Sequence, residues 1–370
     1  MRFQGAGQVS ARPGPWRGVK ILEGEVAHLY PGYFALVMAT GIVSIASFLL
    51  GMGAVAWVLF RINQVAYGAL WLLTVVRLVR HPRGVASDLT DHARGPGFFT
   101  VVAGTCVLGS QYAILAGDST TAGGLWGLGI ILWCLLTYTF FTAVTVRRQK
   151  PGLESGLNGG WLLAAVATQS VSTLGTQLAP AVEGWEKVIL FFTLAMYLFG
   201  CMLYILIIAL IFYRFTFFTL TPEDLTPPYW INMGAVAITT LAGAMLILST
   251  PRWTFLDEVG PFLKGFTLFF WVTATWWIPL LLVLGVWRHL YHRVHPSYDP
   301  QYWGLVFPLG MYGTCTFQLA RATGLSFLFP LARYFVYIAL IAWAVTFLGL
   351  VHRLISSVII ASLVSERAHE

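Results

Sequence analysis

Long apolar runs fill almost the whole chain, and they constrain its fold more than any other feature. They lie near residues 32–50, 55–76, 98–115, 125–146, 161–179, 188–213, 230–249, 263–287, 302–320 and 331–352. A helix needs roughly 20 apolar residues to cross a hydrocarbon layer of ~30 Å, and lipid offers an open backbone no hydrogen-bond partner. A membrane barrel would instead alternate polar and apolar residues in segments of about ten. The runs predict an all-α integral membrane protein with ten transmembrane helices, arranged as five helical hairpins.

The basic residues lie between these runs, and their distribution predicts the orientation of the chain. Only 10% of the 370 residues are charged, against about 25% in soluble domains, and the net charge is +7. Sixteen Lys and Arg residues fall on the side of the N-terminus and five on the other, with Arg61 inside the second run. Cytoplasmic loops are enriched in such residues. We therefore expect both termini in the cytoplasm of a multi-pass protein of the cell membrane, and no nucleic-acid partner.

The domain organisation follows from the same pattern. Residues 1–30 are rich in Gly, Pro and Arg and have no apolar core of the signal-peptide type. We expect a cytoplasmic N-terminal tail over 1–30, a ten-helix transport domain over 31–356 and a cytoplasmic C-terminal tail over 357–370.

The chain lacks the residues that catalysis or metal binding would require. The four cysteines all fall inside apolar runs, as buried free thiols do. His289, His292 and His295 have spacing similar to that of metal ligands, but no cysteine or carboxylate cluster accompanies them, which favours interfacial histidines. The sequence contains no HExxH, GxSxG, phosphate loop or paired intramembrane carboxylates. We expect no enzyme activity, no metal and no cofactor.

Polar residues are concentrated in the odd-numbered runs. These five runs hold 21 Ser, Thr, Asn and Gln residues, whereas the even-numbered runs hold 12. The alternation favours odd helices that line a lumen, while ordinary polar packing between helices is the alternative for any single run. We predict a substrate-binding lining made by Thr40, Ser44, Thr105, Gln169, Ser172, Thr173, Thr240 and Thr314.

The odd-numbered runs contain no Asp, Glu, Lys, Arg or His. A proton relay or a cation site in the membrane normally needs an ionisable side chain. An uncharged lumen of hydroxyls, amides and backbone dipoles can pass an anion without holding it too tightly. The pattern therefore favours facilitated passage of a small anion over coupled transport.

Phe307 and Pro308 lie in the middle of the ninth run. A proline inside a helix cannot donate its backbone hydrogen bond and bends the helix. Such a bend can present the neighbouring ring to the lumen, and the alternative is a packed or lipid-facing phenylalanine beside an incidental kink.

The segment from Pro31 to Ala46, PGYFALVMATGIVSIA, resembles the opening helix of the tellurite-resistance/dicarboxylate transporter family, and Trp303 to Gly313 is similar to its ninth helix. That family includes tellurite-resistance proteins, malate permeases, sulfite efflux pumps and plant slow anion channels. The resemblance implies five inner odd helices that form a pore, five outer even helices, and a homotrimer with one pore per subunit. It also implies that Phe307, beside Pro308, closes the pore as a gate.

These observations together predict transmembrane transport of a small anion in contact with membrane lipid. The first expectation is a C4-dicarboxylate such as malate. Sulfite, tellurite-type oxyanions, halide and nitrate are the alternatives. A membrane-embedded enzyme and a signalling receptor are the other function classes, and neither has a supporting feature in the sequence.

Overall fold

The computed structural model describes residue 24 and residues 26–295 and 298–366. Most of the predicted N-terminal tail lies outside these residues. The described chain contains no strand, and ten of its helices have 13 residues or more. We number them α1 (Ala35–Leu49), α2 (Gly53–Arg80), α3 (Phe99–Gln111), α4 (Ser119–Val146), α5 (Leu163–Leu178), α6 (Glu186–Phe217), α7 (Ile231–Leu248), α8 (Gly260–Val286), α9 (Trp303–Thr323) and α10 (Phe329–Glu366).

The odd-numbered helices form the centre of the molecule. In order around the centre, α1 contacts α3, α3 contacts α5, α5 contacts α7, α7 contacts α9, and α9 contacts α1. Each of them also packs against the even-numbered helix that follows it in the chain. We call the five odd-numbered helices the central helices.

Burial separates the two groups of helices. Nearly every residue of the central helices is buried, whereas α2, α4, α8 and α10 expose large apolar side chains along much of their length. Val65, Ile131, Val272 and Ile341 are four of these exposed side chains. An apolar outer surface around a buried centre is what a hydrocarbon solvent requires, because lipid solvates these side chains and no polar group.

Eight of the ten helices are long and apolar enough to cross a membrane. The two others are α5 and α9, which are as deeply buried as their central neighbours. In α5 the reason is composition, since seven of its residues are Ser, Thr or Gln. The all-helical membrane fold expected from the sequence is confirmed.

Tryptophan and tyrosine side chains form hydrogen bonds between the even helices and the central helices. Trp133 Nε1 donates to Thr168 Oγ1 over 2.8 Å, and Trp271 Nε1 donates to Thr316 Oγ1 over 3.0 Å. Thr275 Oγ1 lies 2.7 Å from the hydroxyl of Tyr312. These bonds fix the two layers of helices against each other, since a polar group without a partner is costly in lipid.

Candidate functional site

Two cavities lie between the central helices, and all five helices line each of them. The first, about 200 Å³, lies toward the C-terminal ends of these helices, and we call it the C-side cavity. Its lining includes Ile42, Ser110, Thr173, Ile238 and Thr314. The second, about 280 Å³, lies at their N-terminal ends, and we call it the N-side cavity. Its lining includes Met38, Thr100, Leu163, Ile231 and Phe307.

Phe307 lies at the inner limit of the N-side cavity. Its side chain lines that cavity, yet only 1% of it is exposed. Met311, one helical turn further along α9, lines the C-side cavity instead. The same step of one turn occurs in α1, where Met38 lines the N-side cavity and Ile42 the C-side cavity. The Phe307 ring is therefore at the level that separates the two cavities.

Close packing holds the proline that follows this ring. A Cβ atom on Gly234 of α7 would lie 2.7 Å from Pro308 Cγ. Two residues further along α9, a Cβ atom on Gly310 would lie 3.0 Å from Val43 Cγ2. Small residues thus let α7 and α1 approach α9 close to Phe307.

Five short 3₁₀ turns surround the N-side cavity, and each leads directly into a central helix. We call them the collar, and they are Pro31–Phe34, Gly95–Phe98, Gly159–Leu162, Pro227–Trp230 and Pro300–Tyr302. Every turn begins with Pro or Gly and contains an aromatic residue. Each turn contacts the two turns beside it, so the collar closes on itself. This repeat was visible in the sequence as five short Pro/Gly and aromatic segments, although our sequence analysis did not use it.

Glycines allow neighbouring turns of the collar to touch through their backbones. A Cβ atom on Gly97 would lie 2.9 Å from the backbone nitrogen of Gly32. A Cβ atom on Gly159 would overlap the carbonyl oxygen of Pro228. The N-side opening is therefore bounded by backbone and has little room for further side chains.

The N-side cavity combines five helix N-termini with one arginine. Helix N-termini carry partial positive charge and unpaired N–H groups, an arrangement that favours anions. Arg94 lines the cavity, and its Nε lies 2.8 Å from Asp88 Oδ1. Asp88 also pairs with Arg77 over 2.6 Å. The charge of Arg94 is thus partly neutralised by Asp88.

Tyr30 also lines the N-side cavity, just before the first turn of the collar. Burial, with a further contribution from the charge of Asp299, raises the pKa of Tyr30 to about 12, against a smaller opposing effect of Arg94. The phenol therefore stays neutral over the physiological pH range and adds no negative charge to the cavity.

The C-side cavity has a different electrostatic character. Among its lining residues, Arg321 is the only one with a formal charge. Arg321 Nη1 donates a hydrogen bond to Gln318 Oε1 over 3.2 Å, and no carboxylate of the described chain lies within 4 Å of it. Gln177 contributes a side-chain oxygen that is buried without a partner among the described residues.

Two of the eight residues predicted as a lining, Thr173 and Thr314, line the C-side cavity. Both hydroxyls donate to carbonyl oxygens of their own helices, Thr173 to Gln169 over 2.8 Å and Thr314 to Gly310 over 3.0 Å. Their protons are therefore used by the backbone, and their free lone pairs do not attract an anion.

The other six predicted residues line neither cavity. Three of them donate a hydrogen bond to the even helix that follows their own helix. Ser44 Oγ donates to the carbonyl of Ala56, and Ser172 Oγ donates to the carbonyl of Thr193, both over 2.7 Å. Gln169 Nε2 donates to the carbonyl of Tyr197 over 3.0 Å.

The remaining three of those six form hydrogen bonds with their own helix or with an outer, even-numbered helix. Thr40 Oγ1 accepts a hydrogen bond from Trp343 Nε1 of α10 over 3.0 Å. Thr105 Oγ1 donates to the carbonyl of Val101 and lies 3.0 Å from the hydroxyl of Tyr67. Thr240 donates to the carbonyl of Val236, on its own helix. Of the predicted site residues, Phe307, Thr173 and Thr314 therefore line a cavity. The six other predicted lining residues bind groups elsewhere.

No three His, Cys, Asp or Glu side chains of the described chain lie close enough together to hold a metal ion. Both cavities instead have apolar walls, a few hydroxyl and amide groups, and one guanidinium each.

Residues 28–351 match the SLAC1 family, described as voltage-dependent anion channels. The chain belongs to this family. The match extends from just before the collar to the middle of α10, so the SLAC1 family assignment covers every element that forms the two cavities.

Similar proteins from other organisms agree with the SLAC1 family. An uncharacterized membrane protein of Mycobacterium tuberculosis is 36% identical over 156 residues, which are 42% of this chain and 79% of the relative. An uncharacterized transporter of Methanocaldococcus jannaschii is 20% identical over 90% of this chain and 97% of its own length. The sulfite efflux pump SSU1 of Trichophyton rubrum is 21% identical over 87% of this chain and 90% of its own length. Together with the fold, these matches make the chain a membrane protein of an anion-transport family.

Proposed function

We propose that the protein conducts small anions across the membrane through the two cavities, with Phe307 as the gate between them. The observation that carries this proposal is the buried ring of Phe307 at the level that separates the cavities. All ten long helices cross the membrane in this proposal, as five hairpins with the central helices around the pathway. The closed order of contacts among the central helices supports it.

The proposed gate acts by steric closure and exclusion of water. An apolar constriction resists the passage of a hydrated ion, because the ion would lose its hydration shell without receiving polar partners. Rotation of the Phe307 side chain toward either cavity would connect them. Pro308 supports this role, since it leaves the α9 backbone without one helical hydrogen bond next to the ring.

Within the anions, we propose a small oxyanion of the sulfite type as the preferred substrate. The name of the fungal relative, a sulfite efflux pump, supports this preference. The single guanidinium of each cavity is a second support, because it suits a compact anion better than a dicarboxylate with two separated charges. C4-dicarboxylates such as malate, the first expectation from the sequence, are the comparison that a transport assay must include.

Facilitated flow, rather than proton-coupled transport, is the proposed mode. Neither cavity lining contains a carboxylate or a histidine that would carry a proton. The excess of Lys and Arg on the collar side supports an orientation with the N-side cavity facing the cytoplasm. We also propose a homotrimer with one pathway per subunit, which mass measurement of the purified protein in detergent would test.

The test of the function is anion flux into liposomes that contain the purified wild-type protein. Sulfite, malate, nitrate and chloride are supplied separately, and empty liposomes give the background. The proposal predicts flux above background for sulfite and for nitrate, and slower flux for malate. Flux of none of the four anions above background would overturn it.

A further inference from the structure

The C-side cavity offers few groups that can donate a hydrogen bond to an anion. The hydroxyls of Ser170, Thr173 and Thr314 all donate to carbonyls of their own helices, over 2.8 to 3.0 Å. An anion accepts hydrogen bonds and needs donors that are not already used. The remaining donors in the lining are the guanidinium of Arg321, the side-chain amides of Gln177 and Gln318 and the hydroxyl of Ser110, and only Arg321 carries a charge.

Arg321 is positioned toward this cavity by a neighbour on its own helix. Gln318, which lies three residues earlier on α9 and is only 7% exposed, accepts a hydrogen bond from Arg321 Nη1. A guanidinium has five N–H donors in a planar fork, so the bond to Gln318 leaves the others free. No carboxylate of the described residues neutralises the charge.

Gln177 faces the same space from α5. Its Oε1 atom is buried and has no hydrogen-bond partner in the described part of the chain. A buried amide oxygen without a partner is costly, and such groups in native structures are usually satisfied by a water or a ligand. A protonated or hydrated anion in the cavity would satisfy this oxygen and would accept from the amide nitrogen of the same side chain.

We propose that Arg321 and Gln177 form an oxyanion-binding subsite in the C-side cavity and that this subsite selects the substrate. This inference rests on the proposed function and adds to it the residues that bind the anion on one side of the gate. The charge comparison supports it: Arg94 of the N-side cavity shares Asp88, whereas Arg321 has no acidic partner in the described chain. The two sides of the pathway therefore differ in affinity, and the C-side cavity holds the anion more tightly.

Arg321 also lies in the last turn of α9, where a positive charge stabilises the helix through its dipole. A purely structural role would make Arg321→Gln less stable without changing anion binding. The experiment therefore needs a binding measurement that does not depend on stability alone.

The experiment compares Arg321→Gln, Arg321→Lys and Arg333→Gln in two assays. Arg333 is the matched control, because it is exposed on α10 beyond the same ends of the central helices and lines neither cavity. The first assay measures the concentration of sulfite that gives half-maximal flux in liposomes. The second measures the rise in melting temperature of the detergent-solubilised protein as sulfite is added, since a ligand that binds the folded state raises it.

The inference predicts that Arg321→Gln raises the half-saturating sulfite concentration by about tenfold, which corresponds to ~1.4 kcal/mol of binding free energy. It also predicts that this variant loses the sulfite-dependent rise in melting temperature, that Arg321→Lys keeps part of both, and that Arg333→Gln keeps both. Equal shifts in Arg321→Gln and Arg333→Gln, or no shift in either, would overturn the subsite. If wild type passes no anion but shows a rise in melting temperature that needs Arg321, the subsite stands and the proposed transport function fails.

Discussion

Phe307 and Met311 lie one helical turn apart on α9, and they line different cavities. No residue of the described chain lines both cavities, and the proposed function therefore assigns the gate to the side chain at this level. Small residues of neighbouring helices pack closely against α9 here, above all Gly234 against Pro308.

Gly234→Ala tests this packing. The new methyl group would lie 2.7 Å from Pro308 Cγ, so either α7 or α9 must move. We expect a loss of about 1–3 kcal/mol in the free energy of unfolding, the usual cost of overpacking, together with altered anion flux. Thermal unfolding in detergent and liposome flux measure the two effects.

Gly265→Ala is the control for this substitution. Gly265 lies on α8, and a Cβ atom added there would have no neighbouring atom within 4 Å among the described residues. Replacement of an exposed helical glycine by alanine should stabilise the protein slightly. If Gly234→Ala behaved like Gly265→Ala in both assays, the packing of α7 against Pro308 would have no role in the gate.

Thr40→Val and Thr314→Val separate packing hydroxyls from cavity hydroxyls. Thr40 accepts the indole hydrogen bond of Trp343, whereas the hydroxyl of Thr314 donates to a carbonyl of its own helix. Loss of the Thr40 hydroxyl leaves Trp343 Nε1 without an acceptor and should cost about 1 kcal/mol, while Thr314→Val should be close to neutral in stability. Chemical or thermal unfolding measures the stability of both variants. A larger loss of stability in Thr314→Val than in Thr40→Val would contradict these roles of the two hydroxyls.

Nitrate flux should be independent of pH between about 7 and 9.5, because nitrate itself does not titrate in this range. Burial raises the pKa of Tyr30 above the ordinary value of 10, to about 12, so its phenol stays neutral beside Arg94 and Asp299. The associated contribution to stability is constant below about pH 10 and is lost as the pH rises toward about 12. Tyr30→Phe should leave the flux profile unchanged, and a fall in wild-type flux within this pH range that the variant lacks would contradict this prediction.

The sequence was sufficient to predict the membrane fold and the family, and the reason is physical. Hydrocarbon solvent demands apolar runs of a fixed length, and these runs coincide with the long helices. The concentration of polar residues in the odd-numbered runs also coincides with the buried central helices. Both patterns depend on the surroundings of a whole helix, and these surroundings determine the overall composition of that helix.

The lining residues could not be derived in the same way. Ser44, Gln169 and Ser172 look like lumen residues by position, but their side chains bind backbone carbonyls of neighbouring even helices. Composition does not state which neighbour a polar side chain of a buried helix faces, because every direction around such a helix is interior. The alternative that we weighed from the sequence, polar packing between helices, describes these three residues.

Arg321 was missed for a related reason. It follows the ninth apolar run and counts in the sequence as one of five cations on the side opposite the termini. Only the fold shows that the last turn of α9 lies beside the C-side cavity, with Gln318 and Gln177 in the same lining.

The most direct test of the account is the rate of anion flux through Phe307→Ala. In the proposed function, removal of the ring joins the two cavities, so we expect sulfite and nitrate flux to rise by about tenfold over wild type, equivalent to a barrier lower by ~1.4 kcal/mol. Phe270→Ala removes an equally buried ring, which lies on α8 and packs against Tyr204, and should reduce stability without raising flux. A folded Phe307→Ala protein that conducts at the wild-type rate would contradict the gate, and with it the pathway through the two cavities.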